Sequence, residues 1–310
     1  MHKSLSSALV SPWILLPEET NDASRKRTEE RRRRWSREIG MRAVQSLFDE
    51  LMLYPKPGLV SPVDNGSHSD MDAGTFLRSL FSLRHYFVRI ARAGTDGATF
   101  GELKRLGIQA EEAMLAATGG INTHRGAIFC LGMLCASVGY CRAHGMSLSP
   151  EAIRATLLIQ WGQALSAHCQ PQDSSSHGLS VASAYSASGA REEAALGLPS
   201  VFDVALPILR STLAAGRSWE QARIDALFAL MAHISDTNVY HRAGPAGADM
   251  VRTLSRTFLA RGGTAADGWR EHAVRCHRVF VDMKISPGGA ADLLAATCLV
   301  HKVTDWHRAV

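Results

Sequence analysis

The sequence almost lacks segments in which β-branched residues alternate with polar ones, so no sheet organises it and an all-α fold is expected. It also lacks any C-x-x-C pair. Its six cysteines, Cys130, Cys135, Cys141, Cys169, Cys276 and Cys298, lie mostly in apolar, helix-like surroundings. Without a secretory leader they read as reduced thiols acting as small hydrophobes in a cytoplasmic protein, not as a disulfide framework. No apolar run reaches the ~18 residues that span a bilayer, and the run 13–16 between Pro12 and Pro17 is too short for a secretory core. No membrane partner is expected. Glu18, Glu19, Asp22, Glu29 and Glu30 argue against an Arg-rich targeting segment. A Walker lysine and a G-x-G-x-x-G strand–helix context are both missing, which excludes the standard nucleotide folds.

The formal charge of +5 comes largely from Arg25, Lys26, Arg27, Arg31, Arg32, Arg33, Arg34 and Arg37. A local run of this kind does not define a nucleic-acid-binding domain. It is a solvated, partly helical arm, or a docking element for an acidic carrier or for coenzyme A phosphates. Residues 1–35 are therefore expected to form a mobile basic tail, and 36–310 one all-α catalytic domain of about ten helices. No Gly/Ser linker divides that domain, and no fixed repeat of roughly 33–47 residues marks a solenoid.

The first helix pattern carries Ile39, Ala43, Val44, Leu47, Phe48 and Leu51 and stops before Pro55; the next begins near Asp72. Thr99 with Glu102 and Ser218 with Gln221 are capping boxes, and Ser149-Pro150 and Ser286-Pro287 put proline at a helix start. Further helices are expected over 126–143, 189–212, 246–260 and 265–282.

Five interruptions carry the chemistry. The segment from Tyr54 to Asp72 gathers Lys56, Asp64, His68, Asp70 and Asp72 among prolines and the glycines Gly58 and Gly66, more than a connector needs. The second, Gly119-Gly120-Ile121-Asn122-Thr123-His124-Arg125-Gly126, runs into an apolar helix whose N-terminus suits an anion. The third pairs Ser174-Ser175-Ser176-His177-Gly178 with Gly189-Ala190-Arg191, a phosphate contact or a plain loop. The fourth, Asp236-Thr237-Asn238 followed by His241-Arg242, offers hard oxygen ligands for Mg²⁺ or an Asx-type helix terminator. The fifth is Ser286-Pro287-Gly288-Gly289 with Asp292, which binds metal or complements the helix dipole.

In this order the motifs resemble the triphosphoribosyl-dephospho-coenzyme A synthase family, over about residues 36–302. The carrying residues are Pro57-Gly58-Leu59-Val60 with Asp64, Gly66, His68, Asp70, Met71 and Asp72, then Gly120 to Gly126. Ser176-His177-Gly178, Gly189-Ala190-Arg191, Asp236-Thr237-Asn238 and Ser286 to Leu294 complete them. The likeness is closest to the branch that serves malonate decarboxylase. Two positions depart from the family pattern: Glu192 replaces a glycine, and a glycine pair is reduced to Ala243-Gly244.

The resemblance implies an all-α enzyme that converts ATP and 3′-dephospho-CoA to 2′-(5″-triphosphoribosyl)-3′-dephospho-CoA and adenine. An acyl-carrier subunit or its prosthetic-group transferase is the implied further partner. In such a site Asp70, Asp72, Asp236 and Asp292 are the candidate Mg²⁺ ligands. Lys56, His124, Arg125 and the start of the helix at Gly288-Gly289 would hold phosphate oxygens. Gly58, Asn122, Thr123, His177, Arg191 and Asn238 complete the substrate-binding set. Asp64 or Asp70 is the general base, and His68 shuttles the proton or assists the departing base. The expected α-linkage, made from a β-nucleotide, favours one inverting displacement. The rival readings are a metal-dependent phosphohydrolase or ADP-ribosyl hydrolase, and a helical module that binds a carrier protein.

Overall fold

The computed structural model describes residues 18–169 and 189–305, with backbone alone for 18–23. His177 and the serines before it lie outside the described residues, as do residues 1–17. Among the described residues there are eleven α-helices and no strand, as the missing β-pattern implied. They are α1 (Glu18–Leu51), α2 (Ala73–Thr95), α3 (Phe100–Thr118), α4 (Arg125–Ala143), α5 (Pro150–Cys169) and α6 (Ala190–Ala195). After a π-helical turn at Ser200–Ala205 come α7 (Leu206–Ala214), α8 (Trp219–His233), α9 (Thr237–Ala260), α10 (Trp269–Asp282) and α11 (Gly288–Asp305).

Local chemistry sets many of the boundaries. Thr99 and Ser218 form the expected capping boxes, in which side chain and backbone satisfy each other's free N–H groups. Asp72 caps α2, accepting from the Thr75 amide at 2.7 Å and its hydroxyl at 2.8 Å. Pro150 opens α5 as its missing donor allows.

Helix α4 is the centre of the molecule, packed against α1, α2, α3, α5, α6 and α11. By length and composition it could cross a membrane, contrary to the expectation that no run would, but 72% of its apolar window is buried inside the fold. A helix apolar on all sides is a core helix when other helices surround it. Small residues Ala91, Gly94, Ala136 and Gly139 meet where α2 crosses α4, and the two backbones touch there.

Four expectations change. Helix α1 continues unbroken through residue 35 to Glu18, so that position is no element boundary. Part of the arginine run is tied to acids: Arg32 pairs with Asp96 at 3.2 Å and Arg33 with Glu29 at 2.8 Å, and Glu29 in turn takes Arg92 of α2 at 3.0 and 2.6 Å. The 189–212 pattern splits at Gly197-Leu198-Pro199, where Gly197 and Leu198 both take positive φ and proline lacks a donor. The 246–260 pattern extends back to Thr237 across a kink at Gly244-Pro245.

Candidate active site

One cleft of about 720 Å³ is bordered by α1 to α6, α9, α11 and the loop before α2. Lys56, His68, Asp70, Asn122, Thr123, His124, Arg125, Arg191, Asn238, Gly288, Gly289 and Asp292 all line it. Asp64, Asp72, Gly58 and Asp236 do not.

The loop from residue 52 to 72 is rigid because the far end of the chain grips it. The Ser67 hydroxyl donates to the Ile285 carbonyl at 2.6 Å, and His277 Nδ1 lies 2.9 Å from the Lys56 carbonyl. Asp64 is used in this anchoring: Oδ2 lies 3.2 Å from His277 Nε2, and Oδ1 accepts from the Gly66 amide at 2.9 Å. Gly58 takes φ +70° against the Ile285 carbonyl, where a side chain would overlap backbone.

His68 stands where the loop meets Ser286. Arg242 Nη2 lies 3.1 Å from Nδ1, and a guanidinium can only donate. Nδ1 therefore accepts, Nε2 carries the hydrogen, and it donates to the Ser286 hydroxyl at 2.8 Å. Burial and then Arg242 lower the pKa of His68, and Asp70, 3.6 Å away, opposes them. His68 is thus a neutral imidazole with both nitrogens engaged.

His124 is a second neutral imidazole. The Thr123 hydroxyl donates to Ser79 Oγ at 2.7 Å, so the single Ser79 hydrogen is free for His124 Nδ1 at 2.6 Å. Nε2–H is left as a buried donor without a partner. Burial, followed by the Lys56 charge, pushes the pKa of His124 down to about 3.

The floor holds Lys56, 1% exposed, with Nζ 2.6 Å from Glu50 Oε1. Burial lowers the Lys56 pKa and Glu50 opposes the shift. Glu50 was not among the expected site residues. Its signal was an acid on the apolar stripe of Ile39, Ala43 and Leu47, an unfavourable place for a carboxylate without a buried partner.

Two aspartates stitch three helix N-termini together beside this pair. Asp236 caps α9 by accepting from the Asn238 amide at 2.9 Å, and its other oxygen accepts from Ala290 in the first turn of α11 at 3.1 Å. Asp292, from α11, accepts from the Ala127 amide at the start of α4. A Cβ at Gly126 would overlap that carboxylate, so glycine is required there. The amides of Gly289, Ala290 and Ala127, expected to face phosphate, thus already face carboxylates. Burial foremost, then Glu50 and Asp236, raise the Asp292 pKa well above the carboxylate range.

The four aspartates named as metal ligands are not gathered. Asp72 is exposed beyond the cleft, Asp236 is buried behind it, and Asp70 and Asp292 line different parts. No group of three or more His, Cys, Asp and Glu among the described residues is arranged around a metal position. A divalent cation still fits the floor. Three acids, Glu50, Asp236 and Asp292, crowd near one ammonium, Lys56, and their mutual repulsion favours a proton on Asp292 that a cation would displace. Three helix N-termini, worth about half a positive charge each, offset only part of that repulsion.

Among the cations, Arg125 is paired with Glu111 at 2.5 Å. Glu192, the departure from the family glycine, accepts from the Gly189 amide at 2.9 Å and fixes the start of α6.

Fold and cleft define an all-α protein with a large cleft among its helix ends, lined by Lys56, Arg125, Arg191 and Arg242. The family model for ATP:dephospho-CoA triphosphoribosyl transferase matches residues 36–309, and the chain belongs to that family of enzymes. It is 40% identical over 265 residues to a probable 2-(5''-triphosphoribosyl)-3'-dephosphocoenzyme-A synthase of Acinetobacter calcoaceticus, covering 86% of this chain and 90% of the relative. The synthase of that name from Klebsiella pneumoniae is 40% identical over 266 residues, covering 84% and 92%. A probable synthase of Vibrio cholerae is 36% identical over 279 residues, covering 86% and 88%. No solved structure matches the chain.

Proposed function

We propose that the protein transfers the triphosphoribosyl group of ATP to the 2′-hydroxyl of 3′-dephospho-CoA and releases adenine. The observation that carries this reading is convergence: the loops at 56–72, 120–126, 236–242 and 286–292, far apart in sequence, border one nucleotide-sized cleft. The bond broken is the glycosidic C1′–N bond, so the triphosphate must be held intact while the ribose carbon is attacked. Charge-assisted donors suit that task, and Arg125 and Arg242 line the cleft. Of the two carboxylates considered as base, Asp70 opens on the cleft, and we assign it the proton of the 2′-hydroxyl. Ser286 receives its hydrogen bond from His68, which leaves its own proton free to meet a ligand acceptor. His124 Nε2–H offers a second neutral donor, suited to a phosphate oxygen or to the departing base.

Glu50 and Asp292 are the residues we assign to Mg²⁺, because both open on the cleft and the repulsion that holds a proton on Asp292 is what a bound cation would relieve. Mg²⁺ is commonly held by one or two carboxylates together with substrate phosphates. When bound, it supplies charge neutralisation to the triphosphate. An inverting displacement leaves no covalent enzyme intermediate, so ATP alone should add no mass to the protein.

We assign the product to the acyl-carrier subunit of malonate decarboxylase, on the motif likeness given above, and the reaction to the cytoplasm. The deciding experiment incubates purified protein with ATP, Mg²⁺ and dephospho-CoA and resolves the products by chromatography and mass. Adenine and a triphosphoribosylated acceptor are expected. Release of inorganic phosphate or ADP-ribose instead would overturn the reading. Mass analysis of the apo-carriers of malonate decarboxylase and citrate lyase, each with its own prosthetic-group transferase, then tests the pathway.

A further inference from the structure

Helix α3 turns a whole stripe toward the cleft. Phe100, Leu103, Lys104, Gly107, Ile108 and Glu111 line it, with the i, i+3, i+4, i+7 spacing of one helix face. The stripe runs for about 16 Å at 1.5 Å per residue. A face of this kind normally packs on a neighbour, yet Ile108 is left 49% exposed. Opposite it, Phe129 and Met133 of α4 continue the lining beyond Arg125, for about 12 Å along the helix axis. The cleft thus has a second arm, apolar along its sides and leading away from the acidic floor.

Along this arm Lys104, Arg125 and Arg191 outnumber Glu111 and Glu192, and Arg125 is taken up by Glu111. Lys104 and Arg191 both line it, and neither makes an ion pair among the described residues. The His168 ring stands with them, 5.5 Å from Phe100 and 6.5 Å from Phe129. Both cations lie close enough to add to the effect of burial in lowering the His168 pKa. Two unpaired cations beside an aromatic strip suit a phosphate joined to an extended, mainly apolar chain.

The two substrates differ in this respect. ATP carries three phosphates on a compact nucleoside, and dephospho-CoA carries a diphosphate continued by a long pantetheine arm. We propose that Lys104 and Arg191 form a second phosphate subsite that holds the diphosphate of dephospho-CoA, with the pantetheine arm lying along the α3–α4 strip. This rests on the transferase reading above and adds which end of the cleft takes which substrate. The acceptor ribose then faces the floor, where the triphosphoribosyl donor is held.

Lys104 is exposed on α3, so its replacement leaves the core intact. In steady-state assays Lys104→Ala should raise the KM for dephospho-CoA about tenfold or more, the loss expected for a charge-assisted hydrogen bond. The KM for ATP should stay unchanged, and Lys104→Arg should recover most of the loss. Phe129→Ala should weaken dephospho-CoA while leaving inhibition by ADP, which lacks the pantetheine arm, as it was. A raised KM for ATP with the acceptor unaffected, or no change in either, overturns the subsite. Calorimetric titration of wild type and Lys104→Ala with dephospho-CoA alone separates this from the reaction itself. Equal affinities sink the subsite even if adenine is released. A loss of affinity in Lys104→Ala supports it even if no adenine appears.

Discussion

Asp292 and His124 sit beside the same floor and titrate in opposite senses. The Asp292 carboxyl is raised, so the folded state keeps a proton that the unfolded chain gives up near pH 3.8. Its contribution to stability is present below that pH and is lost as pH rises toward the folded value. His124 is depressed from 6.5 to about 3, so unfolding takes up a proton and stability falls as pH drops below 6.5. That slope is about 1.4 kcal/mol per pH unit until about pH 3. Asp292→Asn keeps an acceptor for Ala127 and removes the charge. In ligand-free, metal-free buffer at pH 7–8 we expect it to be more stable than wild type by about 0.5–2 kcal/mol, with the gain gone near pH 4. Adenine release should fall roughly 100-fold. Urea midpoints across pH check the first claim; a variant less stable at every pH would make the carboxylate a net helix cap.

At the scale of elements, helix existence was legible as apolar periodicity, because burying a stripe is what makes these segments helical. The caps at Thr99 and Ser218 were equally legible, since a capping box is complete within four residues. Asp236 and Asp72 were not told apart. Both begin helices next to polar residues, but Asp236 also meets α11 and Asp72 meets only its own first turn. Such a distinction depends on tertiary placement, which no local window contains. It predicts unequal costs. Asp72→Ala should cost no more than the ordinary loss of an exposed helix cap and leave adenine release near wild type. Asp236→Ala strips partners from two helices and should cost about 2–4 kcal/mol in denaturant unfolding. Loss of metal-dependent turnover in a folded Asp72→Ala protein would return that residue to the ion.

Over the whole molecule, the sequence held the chemistry of the cleft but not its orientation. The loop of residues 56–72 was recognisable because it carries more charge than a turn requires. That Asp64 turns to His277 while His68 turns to Ser286 and Arg242 is decided by partners more than 170 residues away. Glu50 and Lys104 were overlooked because each belongs to an ordinary helix, and only the packed structure gives them a cavity to face. A site built from so many elements should couple ligand binding to global stability. Saturation with ATP and Mg²⁺ at about 100 times Kd contributes about 2.7 kcal/mol, a rise in Tm of about 5 °C. ATP with a chelator should give a smaller shift in differential scanning fluorimetry. Equal shifts would remove the divalent ion from the donor site.

The stitching of α4, α9 and α11 by two aspartates also has a consequence during synthesis. Gly288, Gly289 and Asp292 belong to the last described helix, while the surfaces they complete were translated long before. A nascent chain halted before that helix presents an open trough without Asp292, and the first amides of α4 lack its carboxylate. Catalytic competence should therefore arrive abruptly, when α11 clears the ribosome and docks, and partial chains should not consume nucleotide while they wait.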